Sequence, residues 1–150
     1  MKKDYLELTR LIERLHRRFL DVLRAELRRM GVEELNAVQA LLLSNIGTEQ
    51  IAIRDLVERG YYLGSNVSYN IKKLTDMGYL EQERSQHDRR SVIVLLTPKA
   101  LEVVKRVYEL EDENARAVED AGVNEGDLTQ AAETLQRIEH TWTDFIRHGG

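Results

Sequence analysis

The sequence predicts a mainly helical fold with one small β-hairpin and a long helix at each end of the chain. Its 150 residues include one proline and two phenylalanines among abundant Leu, Glu and Arg, a composition that favours helices. Apolar residues recur at helical spacing along most of the chain. One short apolar run, Val92-Ile93-Val94-Leu95-Leu96, interrupts that spacing and is typical of a half-buried hairpin strand.

The composition limits the class of protein. Hydrophobic residues make up 42% and charged residues 32% of the 150 residues, as in ordinary soluble proteins of one domain. No apolar run approaches the roughly 20 residues that cross a bilayer, and the start lacks a secretory signal, so we expect a cytoplasmic protein with no membrane partner. No cysteine is present and the four histidines are scattered, so we expect no thiol chemistry, no metal site and no cofactor.

The first helix is predicted from an apolar seam of coiled-coil type, in which steps of four and three residues alternate. The seam runs through Leu8, Ile12, Leu15, Phe19 and Val22. It predicts a helix of roughly 25 residues, longer than an average helix, that ends at a glycine at position 31.

Two shorter helices are predicted next. Asn36 and Gln39 resemble a capping box, so a second helix is expected over residues 37–45. A short third helix is expected over residues 53–59, and Gly60 ends it.

The fourth helix is predicted to have Ser65 as its N-cap and to run to Met77. On a wheel of about 100° per residue, Val67, Ile71 and Leu74 share its core face. Hydroxyl, amide and ammonium groups on the other side can bind base edges and phosphates. Any surface helix carries polar residues opposite apolar ones, so this helix alone favours DNA reading and a solvated surface equally. The polar residues are Ser65, Asn66, Ser68, Tyr69, Lys72, Lys73 and Asp76.

A β-hairpin and two helices complete the chain. Strands are predicted over residues 79–84 and 91–96. Thr97-Pro98 then reads as an N-cap followed by an N1 proline, which opens a helix that ends near Gly122, and a last helix follows over residues 125–147. A tri-helical unit followed by a hairpin is the winged-helix order, in which the third and fourth helices form the helix-turn-helix.

The tip of the predicted hairpin carries Arg89 and Arg90. Guanidinium groups at such a tip suit the negative potential of a narrow minor groove, and Asp88 is expected to orient one of them. A solvated turn accounts for these residues at least as well. The net charge of −4 argues weakly against nucleic acid, although residues 60–99 hold six basic and four acidic side chains.

Two motifs resemble those of the MarR (multiple antibiotic resistance regulator) family of winged helix-turn-helix transcription regulators. Residues 88–97 fit the pattern D-x-R-x-x-x-x-x-L-T of that family's wing, and residues 74–80 resemble its helix end L-x-x-x-G-[LY]-[LVI]. The element order and the long terminal helices match as well, so the resemblance covers nearly the whole chain. Tyr69 departs from the family pattern, which often has arginine there, so the preferred DNA sequence is expected to differ from the usual one.

The resemblance implies an obligate homodimer with one domain per chain, residues 1–150. Residues 1–31 and 98–147 would form the dimerisation helices, and residues 35–97 the DNA-binding lobe.

The resemblance also implies where the DNA contacts lie. The fourth helix, residues 65–77, would enter the major groove, and Arg90 would enter the minor groove while Asp88 holds it. The expected DNA contacts are Ser65, Asn66, Ser68, Tyr69, Lys72, Lys73, Arg89 and Arg90.

The expected function is a transcription regulator, a repressor, that binds a pseudo-palindromic duplex and is released by a small organic effector. Core packing accounts better than ligand binding for each residue of the expected effector pocket taken singly. A winged helix used only for protein–protein interaction, without DNA binding, stays open as the alternative. No enzyme is expected, because the sequence has no nucleophile–base pair, glycine-rich phosphate loop or metal cluster. The pocket candidates are His16, Phe19, Leu20, Leu41, Leu42 and Asn45.

Overall fold

Helices account for most of the backbone in the computed structural model, which describes residues 1–58, 64–87 and 91–149. The order of its elements confirms the predicted winged-helix architecture. Among these residues, none of the helices is both long and apolar enough to span a membrane. In chain order the elements are α1 (Lys2–Arg29), α2 (Ala37–Ile46), β1 (Ile51–Ala52), α3 (Ile53–Glu58), α4 (Gly64–Asp76), β2 (Leu80–Arg84), β3 (Val92–Leu96), α5 (Pro98–Asp120) and α6 (Glu125–His148).

Capping side chains explain where two of the helices begin. The side chain of Asn36 accepts a hydrogen bond from the Gln39 N–H at 2.8 Å, and the Gln39 side chain accepts one from the Asn36 N–H at 3.1 Å. This reciprocal pair is the predicted capping box, and it opens α2. Asn124 and Asp127 form the same arrangement at the start of α6.

Some boundaries differ from those predicted. α4 begins at Gly64, so the assignment of Ser65 as its N-cap is wrong and Ser65 lies in the first turn. β1 was not predicted, since two residues are too few to show an alternating pattern. Arg59 and Gly60, the expected end of the third helix, lie outside the described residues.

The three strands form one antiparallel sheet in the order β1-β3-β2. Val94 in the central strand pairs with Ile51 on one side and with Gln82 on the other, and it is completely buried. In β2 only Leu80 is buried, and the four residues after it are exposed. The β2–β3 hairpin therefore starts in the core and extends out of it, as a wing does.

The chain forms two compact units. The first, Met1–Leu110, contains the buried core, which draws its side chains from α1 through α5. The second, Glu111–Gly150, consists of the end of α5 and of α6, and none of its described residues is buried.

A buried carboxylate connects α1 to α5 within the first unit. The Glu26 side chain is 4% exposed, and it accepts hydrogen bonds from Nε of Arg106 and, at 3.0 Å, from Nη1 of Arg29. Arg106 also binds Glu109 at 3.0 Å. The hydrogen bond from Arg106 lowers the pKa of Glu26, against the opposing effect of burial. The carboxylate therefore stays ionised and requires its arginine partners.

Candidate nucleic-acid interface

α4 packs its apolar side against the rest of the protein. Val67, Ile71 and Leu74 are at most 2% exposed, which confirms the core face predicted from the helical wheel. These aliphatic side chains hold the helix against the first unit by apolar burial. The remaining side of the helix is available to a partner.

The free side of α4 carries polar residues. The side chains of Asn66, Ser68, Lys72 and Lys73 are exposed, and Tyr69 is 61% exposed. A tyrosine ring that is this open to solvent is poorly used for packing and well placed for contact with another molecule. The side chain of Ser65 lies outside the described part of the chain.

Tyr69 and Lys73 form a local pair on this surface. The Nζ of Lys73 lies 5.6 Å from the centroid of the Tyr69 ring, within the range of a cation–π interaction. One turn of helix separates the two residues, so the pair restricts both side chains. The surface thus presents the Tyr69 ring and the Lys73 ammonium group in a fixed relative orientation.

The C-terminal end of α4 is closed by a Schellman motif. The N–H of Tyr79 donates to the Leu74 carbonyl at 2.9 Å, and the N–H of Gly78 donates to the Thr75 carbonyl at 3.1 Å. Gly78 has a φ of +85°, in the left-handed region that favours glycine. This end of the helix is therefore fixed in direction.

Lys99 strengthens the same end from α5. Its Nζ donates to the Met77 carbonyl at 2.9 Å, binds Glu34 at 3.1 Å, and lies 4.5 Å from the centroid of the Tyr79 ring. The Tyr79 hydroxyl also donates to Glu34. Hydrogen bonds from Tyr79 and Lys99 lower the pKa of Glu34, whereas burial and the carboxylate raise the pKa of Tyr79. A short polar network thus connects the end of α4 to α5.

Two side-chain hydrogen bonds connect α4 to other elements. Nε2 of Gln39 in α2 donates to Oδ1 of Asn70 at 3.2 Å, in a buried position. Nε2 of Gln82 in the wing strand β2 donates to Oγ1 of Thr75 at 2.9 Å. Asn70, Thr75 and Gln82 were not among the residues predicted from the sequence. The sequence contains one signal for Asn70, which is a polar residue on the flank of an apolar face. It contains no signal that Asn70 bonds to Gln39, 31 residues away.

The wing is described as far as the base of its tip. The Ser85 N–H donates to the Ser91 carbonyl at 2.9 Å, which extends the β2–β3 pairing. The expected wing residues Asp88, Arg89 and Arg90 lie outside the described residues. Their contact with DNA stays a prediction.

The residues of the expected effector pocket differ in how exposed they are to solvent. On α1, His16 and Phe19 are exposed and Leu20 is half-buried, whereas on α2 Leu42 has no exposed surface and Leu41 and Asn45 are half-buried. α1 and α2 pack against each other. The effector pocket stays a prediction, and the exposed members of the set belong to the free face of α1. The six residues are His16, Phe19, Leu20, Leu41, Leu42 and Asn45.

Comparisons with known proteins agree with this geometry. Residues 35–100 match the family model of a winged helix DNA-binding domain. The chain is 37% identical over 145 residues to the exopolysaccharide II synthesis transcriptional activator ExpG of Rhizobium meliloti, and the match covers 97% of this chain and 75% of ExpG.

Solved structures of the same fold include complexes with DNA. FabT of Streptococcus pneumoniae in complex with DNA superposes with a TM-score of 0.75 at 18% identity, covering 94% of this chain and 99% of FabT. A mutant of E. coli MarR with operator DNA gives 0.70 at 16% identity over 90% and 95% of the two chains. BpsR of Bordetella bronchiseptica, whose DNA binding is regulated by 6-hydroxynicotinic acid, gives 0.68 at 19% identity over 89% and 98%. At these identities the structures establish the fold alone.

Proposed function

The chain belongs to the winged helix DNA-binding transcription regulators and has the fold of MarR structures, and on that premise we propose that it acts as a homodimer. Each protomer would insert α4 into the major groove at one half of a pseudo-palindromic site. The observation that carries this proposal is the division of α4 into a buried aliphatic side and a side whose described polar residues are exposed. A helix attached in this way presents a whole face to a groove.

The chemistry of the exposed side of α4 indicates which residues would contact bases and which would contact phosphates. Asn66, Ser68 and Tyr69 can bond to or pack on base edges, and Lys72 and Lys73 can neutralise phosphates. Ser65 at the helix start would bind a phosphate. At the wing, we propose that Arg89 and Arg90 contact the minor groove and that Asp88 orients Arg90.

Selection of bound duplexes from a random pool tests the DNA-reading proposal. We expect a two-fold symmetric sequence to be enriched and to bind at nanomolar concentration at physiological salt. Tyr69→Ala should change the enriched sequence, and Tyr69→Phe should separate the role of the hydroxyl from that of the ring. A pool with no enriched sequence, and no DNA retained at low salt, would favour a protein-interaction module instead.

The dimer proposal rests on helices that lack sufficient packing partners. α6 has 24 residues and none of them is buried, yet isolated helices are marginal in water. The exposed fractions of Trp142, Phe145 and Ile146 are 39%, 64% and 81%, and that of Phe19 in α1 is 48%. A second copy of the chain would cover such surfaces.

Sedimentation measures the mass of the protein in solution, and so tests whether the apolar seam of α1 forms the dimer interface. Phe19→Glu places a charge on the apolar side and should shift the protein toward monomer, with a fall in DNA affinity. Arg17→Glu is the matched control, because Arg17 lies on the opposite side of α1, paired with Glu13 at 3.3 Å. Equal masses for both variants and for the wild type would contradict this interface.

The direction of regulation is tested separately. A bound dimer represses when its site overlaps a promoter and activates when it lies beside one. ExpG is named an activator, whereas the sequence analysis expects a repressor for this chain. A promoter–reporter pair measured with and without the protein tells the two apart, because repression lowers the signal and activation raises it.

The small organic effector stays part of the proposal. Its support is the exposed surface of His16 together with the fold shared with BpsR, whose DNA binding is regulated by 6-hydroxynicotinic acid. A screen of aromatic acids for release of the bound duplex tests it. Substitution His16→Ala should reduce the response to any compound found.

A further inference from the structure

We propose that Asn70 and Gln39 are positioning residues for DNA recognition, because their buried hydrogen bond sets the rotation of α4 about its own axis. That rotation decides which direction the exposed polar side of α4 faces. The inference rests on the proposed function, in which this side reads base edges.

The pair is a polar contact inside an apolar region. Asn70 is 9% and Gln39 is 5% exposed, and Nε2 of Gln39 lies 3.2 Å from Oδ1 of Asn70. On the wheel of α4, Asn70 lies about 60° from Val67, on the flank of the core face. The bond therefore acts on the side of the helix that is turned toward the protein.

Gln39 is itself held in place, which makes it a fixed reference. Its Oε1 accepts a hydrogen bond from the Asn36 N–H at 3.1 Å, and its own N–H donates to Oδ1 of Asn36 at 2.8 Å. Because Oε1 is committed to a donor, the amide group must present its Nε2 to Asn70. Asn70 can then satisfy this donor only with its oxygen, so the orientation of both amides is determined.

The aliphatic contacts of α4 restrict this rotation less sharply than a hydrogen bond does. Val67, Ile71 and Leu74 are held by apolar burial, which has no preferred direction. A hydrogen bond depends steeply on distance and angle. Turning the helix by about 20° moves an atom that lies about 5 Å from the axis by nearly 2 Å, which is enough to break the bond. The reading side chains on the other side would move by as much.

A buried hydrogen-bonded pair of this kind is not in general required for stability. Replacing both partners of a buried hydrogen bond by apolar groups of similar shape can be nearly neutral, whereas removing one leaves an unpaired buried group. A polar pair that could be replaced without loss of stability is best explained by its selecting one orientation of α4 over others.

The test compares the affinity for the selected duplex with the affinity for a scrambled duplex, in the full-length protein. Asn70→Leu should lower this discrimination ratio by about tenfold, the loss of roughly one base contact, and leave binding to the scrambled duplex within about twofold. Ile71→Val is the matched control, because it weakens the packing of α4 and keeps the hydrogen bond. It should leave the ratio unchanged.

Two further variants separate positioning from stability. Asn70→Asp keeps an oxygen opposite Nε2 of Gln39, so it should retain the ratio while its negative charge weakens binding to both duplexes. Gln39→Met combined with Asn70→Leu should reduce the ratio no further than Asn70→Leu alone, because both changes remove the same bond.

The results also distinguish this inference from the function on which it rests. A wild-type protein that does not discriminate between the duplexes would overturn the proposed function. A discriminating wild type with an Asn70→Leu variant of equal ratio, or with an equal loss in Ile71→Val, would overturn the positioning role alone.

Discussion

The side chains of α4 fall into two groups. One group is buried and packs the helix against the core, and the other is exposed to solvent. Val67 and Leu74 are buried, and Tyr69 and Lys72, two to five residues away, are exposed. Since DNA affinity comes mainly from phosphates and selectivity from base edges, the lysines and the tyrosine should have separable effects. The salt dependence of binding measures the first, and the preferred sequence measures the second.

Lys72 is expected to act through charge. Lys72→Ala should weaken binding to all duplexes alike and reduce the slope of log affinity against log salt by about 2 for the dimer, since each phosphate contact contributes about 0.9. Anisotropy titrations at several salt concentrations measure it. Lys105→Ala, which removes an exposed charge from α5, is the control and should leave the slope unchanged. A Lys72→Ala variant with an unaltered slope would mean that this residue does not contact a phosphate.

Glu26 is expected to give the protein part of its acid sensitivity. Its pKa lies below the usual value of 4.5, chiefly because of the Arg106 hydrogen bond. A carboxyl group with a lowered pKa stabilises the fold fully above its unfolded pKa, and this contribution is lost as the pH falls through the folded pKa. The melting temperature should therefore fall on acidification below about pH 4.5, and less steeply in Glu26→Gln.

An exposed glutamate of α5 provides the control for this pH dependence. Glu102→Gln should follow the wild-type curve of melting temperature against pH. Parallel curves for Glu26→Gln and the wild type would show that the buried carboxylate does not contribute.

At the scale of elements, α4 is held at its end as well as along its side. Its last turn is closed by the Gly78 motif and bound by Lys99 from α5. Lys99 also binds Glu34, which precedes α2. The recognition element is thus connected to α5 by polar contacts that can be altered singly.

Gly78→Ala tests the fixed end of α4. A residue with a side chain at φ +85° should cost about 1–2 kcal/mol of stability and also weaken DNA binding, because the end of α4 loosens. Gly31→Ala is the matched control at the end of α1, where φ is +74° and the added methyl group meets open space, as at Gly78. The Gly31→Ala variant should lose a similar amount of stability in thermal melts and keep the DNA affinity of the wild type. Equal DNA affinities for the two variants would contradict the role of this helix end.

The elements were largely predictable, and the contacts between them were not. Helix ends follow from local signals, such as the Asn36–Gln39 box and the glycine after α4, so they could be derived from a few adjacent residues. β1 could not, because Ile51 and Ala52 form a strand only through their pairing with β3. The same limit applies to Asn70, whose role depends on a residue 31 positions away.

For the whole molecule, charge is distributed unevenly along the chain. α1 carries nine basic and five acidic side chains, residues 35–97 carry seven of each, and residues 111–150 carry ten acidic and three basic ones. A DNA-binding lobe without net charge must rely on the local placement of its lysines and arginines.

The stoichiometry and selectivity of duplex binding test the central claim, that two copies of α4 read one symmetric site. The measurement is a titration of the selected duplex and of a scrambled duplex with the protein, followed by anisotropy at fixed physiological salt. The account predicts saturation at two chains per selected duplex and binding at least about a thousandfold weaker to the scrambled duplex. Saturation at one chain per duplex, or equal affinity for both duplexes, would contradict it.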